Sequence, residues 1–131
     1  PGNMGSILRI ADWFGIPHIF CSKGCVDVYN SKVMQASMGG FLRVQVHYVD
    51  LETLFQEHSN LPVYGAVLGG ENVFKQSLNK SSFLLIGNEG KGLSAPIQKQ
   101  ITHKITIPKM GGAESLNAGV ATGILCALFH Q

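Results

Sequence analysis

The stretch IPKMGGAESLNAGVATGILCALF, residues 107–129, decides how this chain is read. A strand-like ITIP, residues 105–108, runs into a turn carrying Gly111 and Gly112. Glu114-Ser115-Leu116-Asn117 then opens a long apolar helix, expected to begin near Ser115. Ser115 and Asn117 stand where unpaired backbone N–H groups and the positive end of the helix dipole meet. Helix capping accounts for one such polar side chain. Two of them around a leucine, beside two glycines, leave a ligand cradle open as a second reading.

Working outward, apolar periodicity gives the order of the other elements. A helix follows Gly5, with Ile7, Leu8, Ile10, Ala11 and Phe14 at helical spacings. IPHIFC reads as a short buried strand, SKVMQASM as a helix, LRVQVHYV as a strand and LETLFQEH as a short helix. LPVYGAVLG is expected to be a strand running into a turn at Gly69-Gly70. SSFLLIG is another strand, followed by the loop GNEGKGLS and a helix from about Ser94. HKITIP is the last strand. Strands alternating with helices predict an α/β domain with a mostly parallel sheet and helices on both faces.

At 131 residues the chain makes one domain with one core. Its hydrophobic fraction of 45% and charged fraction of 14% suit a compact fold and exclude a disordered or fibrous one. The longest apolar run, GVATGILCALF, is too short to cross a bilayer, so no membrane partner is expected. A net charge of +2 permits nucleic-acid binding without arguing for it, and only Arg9 and Arg43 supply guanidinium groups. Cys21, Cys25 and Cys126 lack a zinc-site spacing and read as reduced thiols in a cytoplasmic protein. The five histidines are scattered, with no pair at i,i+4, so no metal site is expected.

Two further segments bear on the 107–129 stretch: PGNMGSILRIADWFG at residues 1–15 and LLIGNEGKGLS at 84–94. In this order, the three resemble the motifs of the SpoU/TrmH-like RNA ribose 2′-O-methyltransferases of the SPOUT class. Asn3, Gly5 and Arg9 match the first motif. Gly87, Glu89, Gly90 and Gly92 match the second, and Ile107, Pro108, Ser115, Leu116 and Asn117 the third. The chain departs from the common pattern at Lys109, where many relatives have methionine; Met110 follows it.

The resemblance implies a C-terminal deep trefoil knot, S-adenosyl-L-methionine as cofactor, tRNA or rRNA as partner, and a homodimer that builds each site from two protomers. It implies cofactor contacts at Leu68, Gly87, Ile107 and Leu116, and catalytic roles for Arg9, Asn3, Glu89, Ser115 and Asn117. Ile107 and Leu116 equally suit ordinary core. On the last helix, Val120, Ile124, Leu128 and Phe129 suit either core or dimer interface. An α/β domain usually opens on a strand, whereas Asn3 stands almost at the start. Residues 1–131 are therefore expected to be a catalytic domain lacking its first strand and any N-terminal substrate-binding domain.

The motif chemistry is coherent in itself. A methyl donor needs a site that holds it bent and dry, and glycines let backbone groups approach a ligand closely. GNEGKGL follows a buried strand, where open α/β sheets bind ligands. It lacks the spacing of a phosphate loop, and no G-x-G-x-x-G occurs. Arginine, with a pKa above about 12, is a poor base, so Arg9 suits phosphate positioning and charge stabilisation better than proton removal. Glu89 has two roles open to it: holding Arg9 or Asn3, or capping its own loop. Two other functions fit the same fold, a non-catalytic RNA-binding or assembly module and a base methyltransferase. Intact Asn3, Arg9, Glu89, Ser115 and Asn117 favour the ribose enzyme.

Overall fold

The computed structural model describes residues 2–25, 27–87 and 92–131. Among the described residues five strands and five α-helices follow one another: α1 (Gly2–Trp13), β1 (His18–Cys21), α2 (Ser31–Ser37), β2 (Gln45–Tyr48), α3 (Leu51–Glu57), β3 (Val63–Asn72), β4 (Phe83–Leu85), α4 (Ala95–Gln98), β5 (His103–Thr106) and α5 (Ala118–Phe129). Every strand pair is parallel, as strand–helix alternation predicts.

The strands pair in two groups rather than as one sheet. β1 pairs with β2, and β3 lies between β4 and β5. On the three-stranded sheet, neighbouring residues take opposite faces. Tyr64, Leu84 and Ile105 pack against Leu125 and Phe129 of α5. Val63, Phe83 and Leu85 pack against Phe55 of α3 and Ile97 of α4. Helices therefore cover both faces there. On one face of the two-stranded sheet Ile19 and Val46 join Leu8 and Ala11 of α1 and Val33 of α2 in a separate core, and on the other Phe20 meets Phe83 of β4.

Glycine settles how α1 sits on α2. A Cβ at Gly5 would lie 2.4 Å from Ala36 Cβ and 2.8 Å from the Val33 carbonyl oxygen, so no larger residue fits where the helices touch. The α1 helix ends at Trp13, and Gly15, at φ +68°, turns the chain away from it.

Several element boundaries differ from the sequence reading: α1 already begins at Gly2, and β2 begins at Gln45 because Gly40–Leu42 form a helical turn. β3 does not stop at Gly69-Gly70. Both Ala66 and Glu71 register with Ile105, so residues 67–70 leave the ladder and the strand rejoins it. Gly69, at φ +76°, turns the excursion, and at Gly70 the chain passes so close to Ile105 that a Cβ would meet its backbone at 2.8–2.9 Å. α5 begins at Ala118, three residues later than Ser115, because Asn117 is the cap: its Oδ1 accepts from the N–H groups of Gly119 and Val120.

Candidate active site

Parallel α/β sheets leave their ligand crevice at the carboxyl ends of the strands, where the loops begin. Three of the expected cofactor contacts stand there. Leu68 rides on the excursion of β3, 85% exposed. Gly87 lies two residues beyond β4, and Ile107 directly follows β5, half-buried against the α5 core. The fourth, Leu116, is 48% exposed just ahead of α5. Both leucines present apolar surface that no core in the described residues absorbs. A Cβ at Gly87 would lie 3.0 Å from Gly92 carbonyl carbon and 3.1 Å from Leu93, so only a bare backbone passes there. Of the two readings left open for Ile107, the structure shows the core packing, with the residue standing where β5 passes into the loop.

Asn117 does more than cap. Its Nδ2 donates to Asn3 Oδ1 at 3.1 Å, joining the first and third motifs across 114 positions. Because the same side chain's oxygen serves the helix cap, both ends of its amide are committed and its orientation is fixed. The α1–α5 contact continues behind it, with a Cβ at Gly119 meeting Ser6 Cβ at 3.2 Å and one at Gly123 meeting Ile10 at 3.7 Å. Ser115 is exposed in the loop preceding the cap. Glu89 and Gly90 lie outside the described residues.

Arg9 stands apart from this cluster. Six residues along a helix carry it about 9 Å down the axis and about 120° around it from Asn3. It lines a different cavity, of about 520 Å³, with Asp12, Trp13, Phe14, Ser37 and Met38. The guanidinium is exposed, and among the described residues it forms no ion pair. Within one chain, then, Asn3 and Asn117 meet while Arg9 faces elsewhere.

Some neighbours of Arg9 were hidden in the sequence. Asp12 is held by Arg43 through hydrogen bonds at 2.7–2.9 Å, and this guanidinium keeps the Asp12 carboxyl below its ordinary range. That pair spans 31 positions with no local pattern to reveal it. Trp13 is 84% exposed on the rim of the cavity, one turn beyond Arg9. Ser37 is buried and donates to the Met34 carbonyl. Lys32 is exposed on α2. Among the described residues no three His, Cys, Asp or Glu side chains gather as a metal site. No described helix is long and apolar enough to cross a membrane.

A family model, the SpoU rRNA methylase family, matches residues 1–127. The chain belongs to that family. The 23S rRNA (guanosine(2553)-2'-O)-methyltransferase RlmP of Bacillus subtilis is 31% identical over 128 residues, covering 95% of this chain and 52% of the relative. A TrmH-family protein from Porphyromonas gingivalis has a solved structure that superposes with a TM-score of 0.92 at 41% identity. The match covers 99% of this chain and 55% of that one. The SpoU methyltransferase AviRb from Streptomyces viridochromogenes, solved in complex with AdoMet, superposes with a TM-score of 0.88 at 28% identity, covering 98% and 55%. The chain thus spans about half the length of these relatives. At the one departure from the SpoU pattern, both Lys109 and Met110 are exposed, Met110 at 95%, so the exchange alters the loop's surface and leaves the core intact.

Proposed function

We propose that residues 1–131 are the catalytic domain of an S-adenosylmethionine-dependent RNA methyltransferase acting on a ribose 2′-oxygen of tRNA or rRNA. The observation that carries this reading is the Asn117–Asn3 hydrogen bond. It draws the first and third motifs together next to exposed Leu116, at the carboxyl ends of parallel strands. The SpoU relatives named as 2′-O-methyltransferases, and the one solved with AdoMet, support it.

Leu68, Gly87, Ile107 and Leu116 would hold the cofactor, mostly through apolar walls and backbone groups. When bound, it supplies an activated methyl group. The rest is assigned to this chain's own residues. Asn3, Asn117 and Ser115 offer neutral hydrogen bonds that orient a hydroxyl without competing for its proton. Arg9 grips a phosphate and stabilises negative charge growing on the 2′-oxygen. Glu89 belongs to the same set by its motif position.

Since Arg9 and Asn117 face different ways in one chain, we assign the complete site to a homodimer in which Arg9 of one copy serves the loops of the other. On α5, Leu128 and Phe129 are taken up by the core, which leaves half-buried Ile124 and Val120, 54% exposed, for such an interface. A C-terminal trefoil knot and a cytoplasmic setting belong to this reading. So does a further parallel strand feeding α1, since a right-handed crossover would set it beside the free edge of β1.

The test is transfer of tritiated methyl from S-adenosylmethionine to bulk rRNA or tRNA by the full-length protein, followed by alkaline hydrolysis. Methylated 2′-oxygens cannot assist cleavage, so label is expected in alkali-stable dinucleotides. Label in mononucleotides would mean base methylation. No transfer, with RNA still bound, would mean a non-catalytic binding module.

A further inference from the structure

The face of the two-stranded sheet turned away from α1 and α2 has a chemistry of its own. Alternation puts Ile19, Cys21, Val46 and Tyr48 on the α1/α2 side and His18, Phe20, Gln45 and His47 on the other. The second set contains three rings and an amide, with no aliphatic side chain and no carboxylate. The rings are ordered. His18 Nδ1 and His47 Nε2 share a hydrogen bond at 3.1 Å. Phe20 and His47 stack with centroids 4.9 Å apart and planes 20° apart. Phe83, from β4, meets Phe20 edge-on at 6.3 Å. Phe20 is 36% exposed and His18 is exposed, while His47 is half-buried and Phe83 also meets Phe55 of α3 edge-on at 5.2 Å.

We propose that this face, centred on Phe20 and His47, is a stacking platform for unpaired bases of an RNA strand. The assignment rests on the RNA-directed reading above and adds a second contact region to it. A protein partner or a helix of this chain would call for aliphatic surface, as on the opposite face. Nucleobases instead match what is present: flat rings to stack on, and imidazole and amide groups that hydrogen-bond base edges. The platform continues past β2 into a cavity of about 780 Å³, whose polar and aromatic lining of Gln45, His47, Lys23, Asp27 and Tyr29 faces an apolar side that includes exposed Leu42. Tyr29 is 73% exposed there and adds a fourth ring, and Lys23 adds a cation for phosphate. Asp27 is occupied as a turn former, accepting from the Tyr29 N–H at 2.9 Å.

The test uses the full-length protein and a single-stranded oligoribonucleotide carrying 2-aminopurine, whose fluorescence falls on stacking. Wild type should bind and quench. Phe20→Ala with His47→Ala should weaken RNA affinity by about tenfold or more and abolish quenching, while S-adenosylmethionine affinity stays unchanged. Phe20→Tyr, which keeps the ring, should restore most of the binding. Unchanged RNA affinity in a folded double variant overturns the platform alone. A lowered melting temperature with unchanged RNA affinity overturns it in favour of a protein segment covering the face. Wild type that binds no RNA overturns both this inference and the reading it rests on.

Discussion

The three-stranded sheet is sandwiched and the two-stranded sheet is not. α5 seals one face of β3–β5, and α3 with α4 seals the other, so the polar atoms that matter there are pushed to the strand ends. The β1–β2 sheet packs one face on α1 and α2 and carries on the other an ordered set of rings, of which His18 and Phe20 are exposed. A sheet closed on both faces can do chemistry only at its rim. One left half open has a whole face to give to a ligand. On the proposed reading the difference divides the labour, with Asn3, Asn117 and the loops assigned to the cofactor at the rim of one sheet and the RNA platform on the face of the other.

The largest expected effect comes from breaking the closed half at its tightest point. Gly70→Val sets a branched side chain against the Ile105 backbone, where even a Cβ comes within 2.8 Å. Backbone cannot yield as a side chain can, so the cost should reach or exceed the ~3 kcal/mol upper end of overpacking. A thermal melt should show the folded baseline lost or displaced far downward. Gly111→Val, in open space, should melt like wild type.

Thiol protection sharpens the same contrast. Burial pushes the Cys21 thiol, in β1, up to about 12, with the neighbouring Cys25 thiol adding to it; burial pushes Cys126, in α5, up to about 11. Both raised values stabilise the fold below the ordinary thiol pKa of 9.0, and that contribution is lost as pH rises toward 11–12. Near neutral pH only local opening makes either thiol react. The half-covered sheet should open first, so Cys21 should label at least about tenfold faster than Cys126, with exposed Cys25 fastest of all. Equal rates for Cys21 and Cys126 would mean that the two sheets open as one unit.

Asn117 tests the rim. Asn117→Ala removes the cap and the tether to Asn3 and should cost about 1 kcal/mol by denaturant titration. Asn117→Asp keeps the cap but cannot donate to Asn3, so it should recover the stability without the methyl-transfer rate. The smallest effect belongs to Asp12 and Arg43, which fasten α1 to the segment before β2 at the exposed surface. The Asp12 pKa is lowered, so its contribution is present above the unfolded carboxyl pKa and fades as pH falls through the folded one. Arg43→Gln should flatten that acid limb slightly, and 1 M salt should mimic it.

The sequence made the parallel α/β class legible because helix and strand periods alternate cleanly along it. Its motifs named Asn3 and Asn117, but nothing local says that a hydrogen bond joins them across 114 positions. β3 seemed to end at Gly69-Gly70 because paired glycines signal a turn; rejoining Ile105 after the excursion is a tertiary event. The α5 start moved from Ser115 to Ala118 because Ser115 and Asn117 are both good caps, and geometry chose Asn117. The histidines looked scattered because strand pairing, not spacing, brings His18 to His47. Arg9 was legible as a motif residue, while its separation from Asn117 on the helix surface was not.

That separation makes mixed dimers the most direct measurement of the central claim, that a complete site takes Arg9 from one copy and the cofactor loops from the other. Arg9→Ala should lower methyl transfer by about 10²-fold while keeping cofactor binding, and Leu116→Asp should abolish cofactor binding. Each variant is then nearly inactive alone. After subunit exchange, half the dimers are mixed and each holds one intact site, so activity should return to about a quarter of the wild-type rate. A mixture that exchanges subunits yet stays as inactive as its parents would mean that Arg9 serves its own chain, and would contradict the two-copy site.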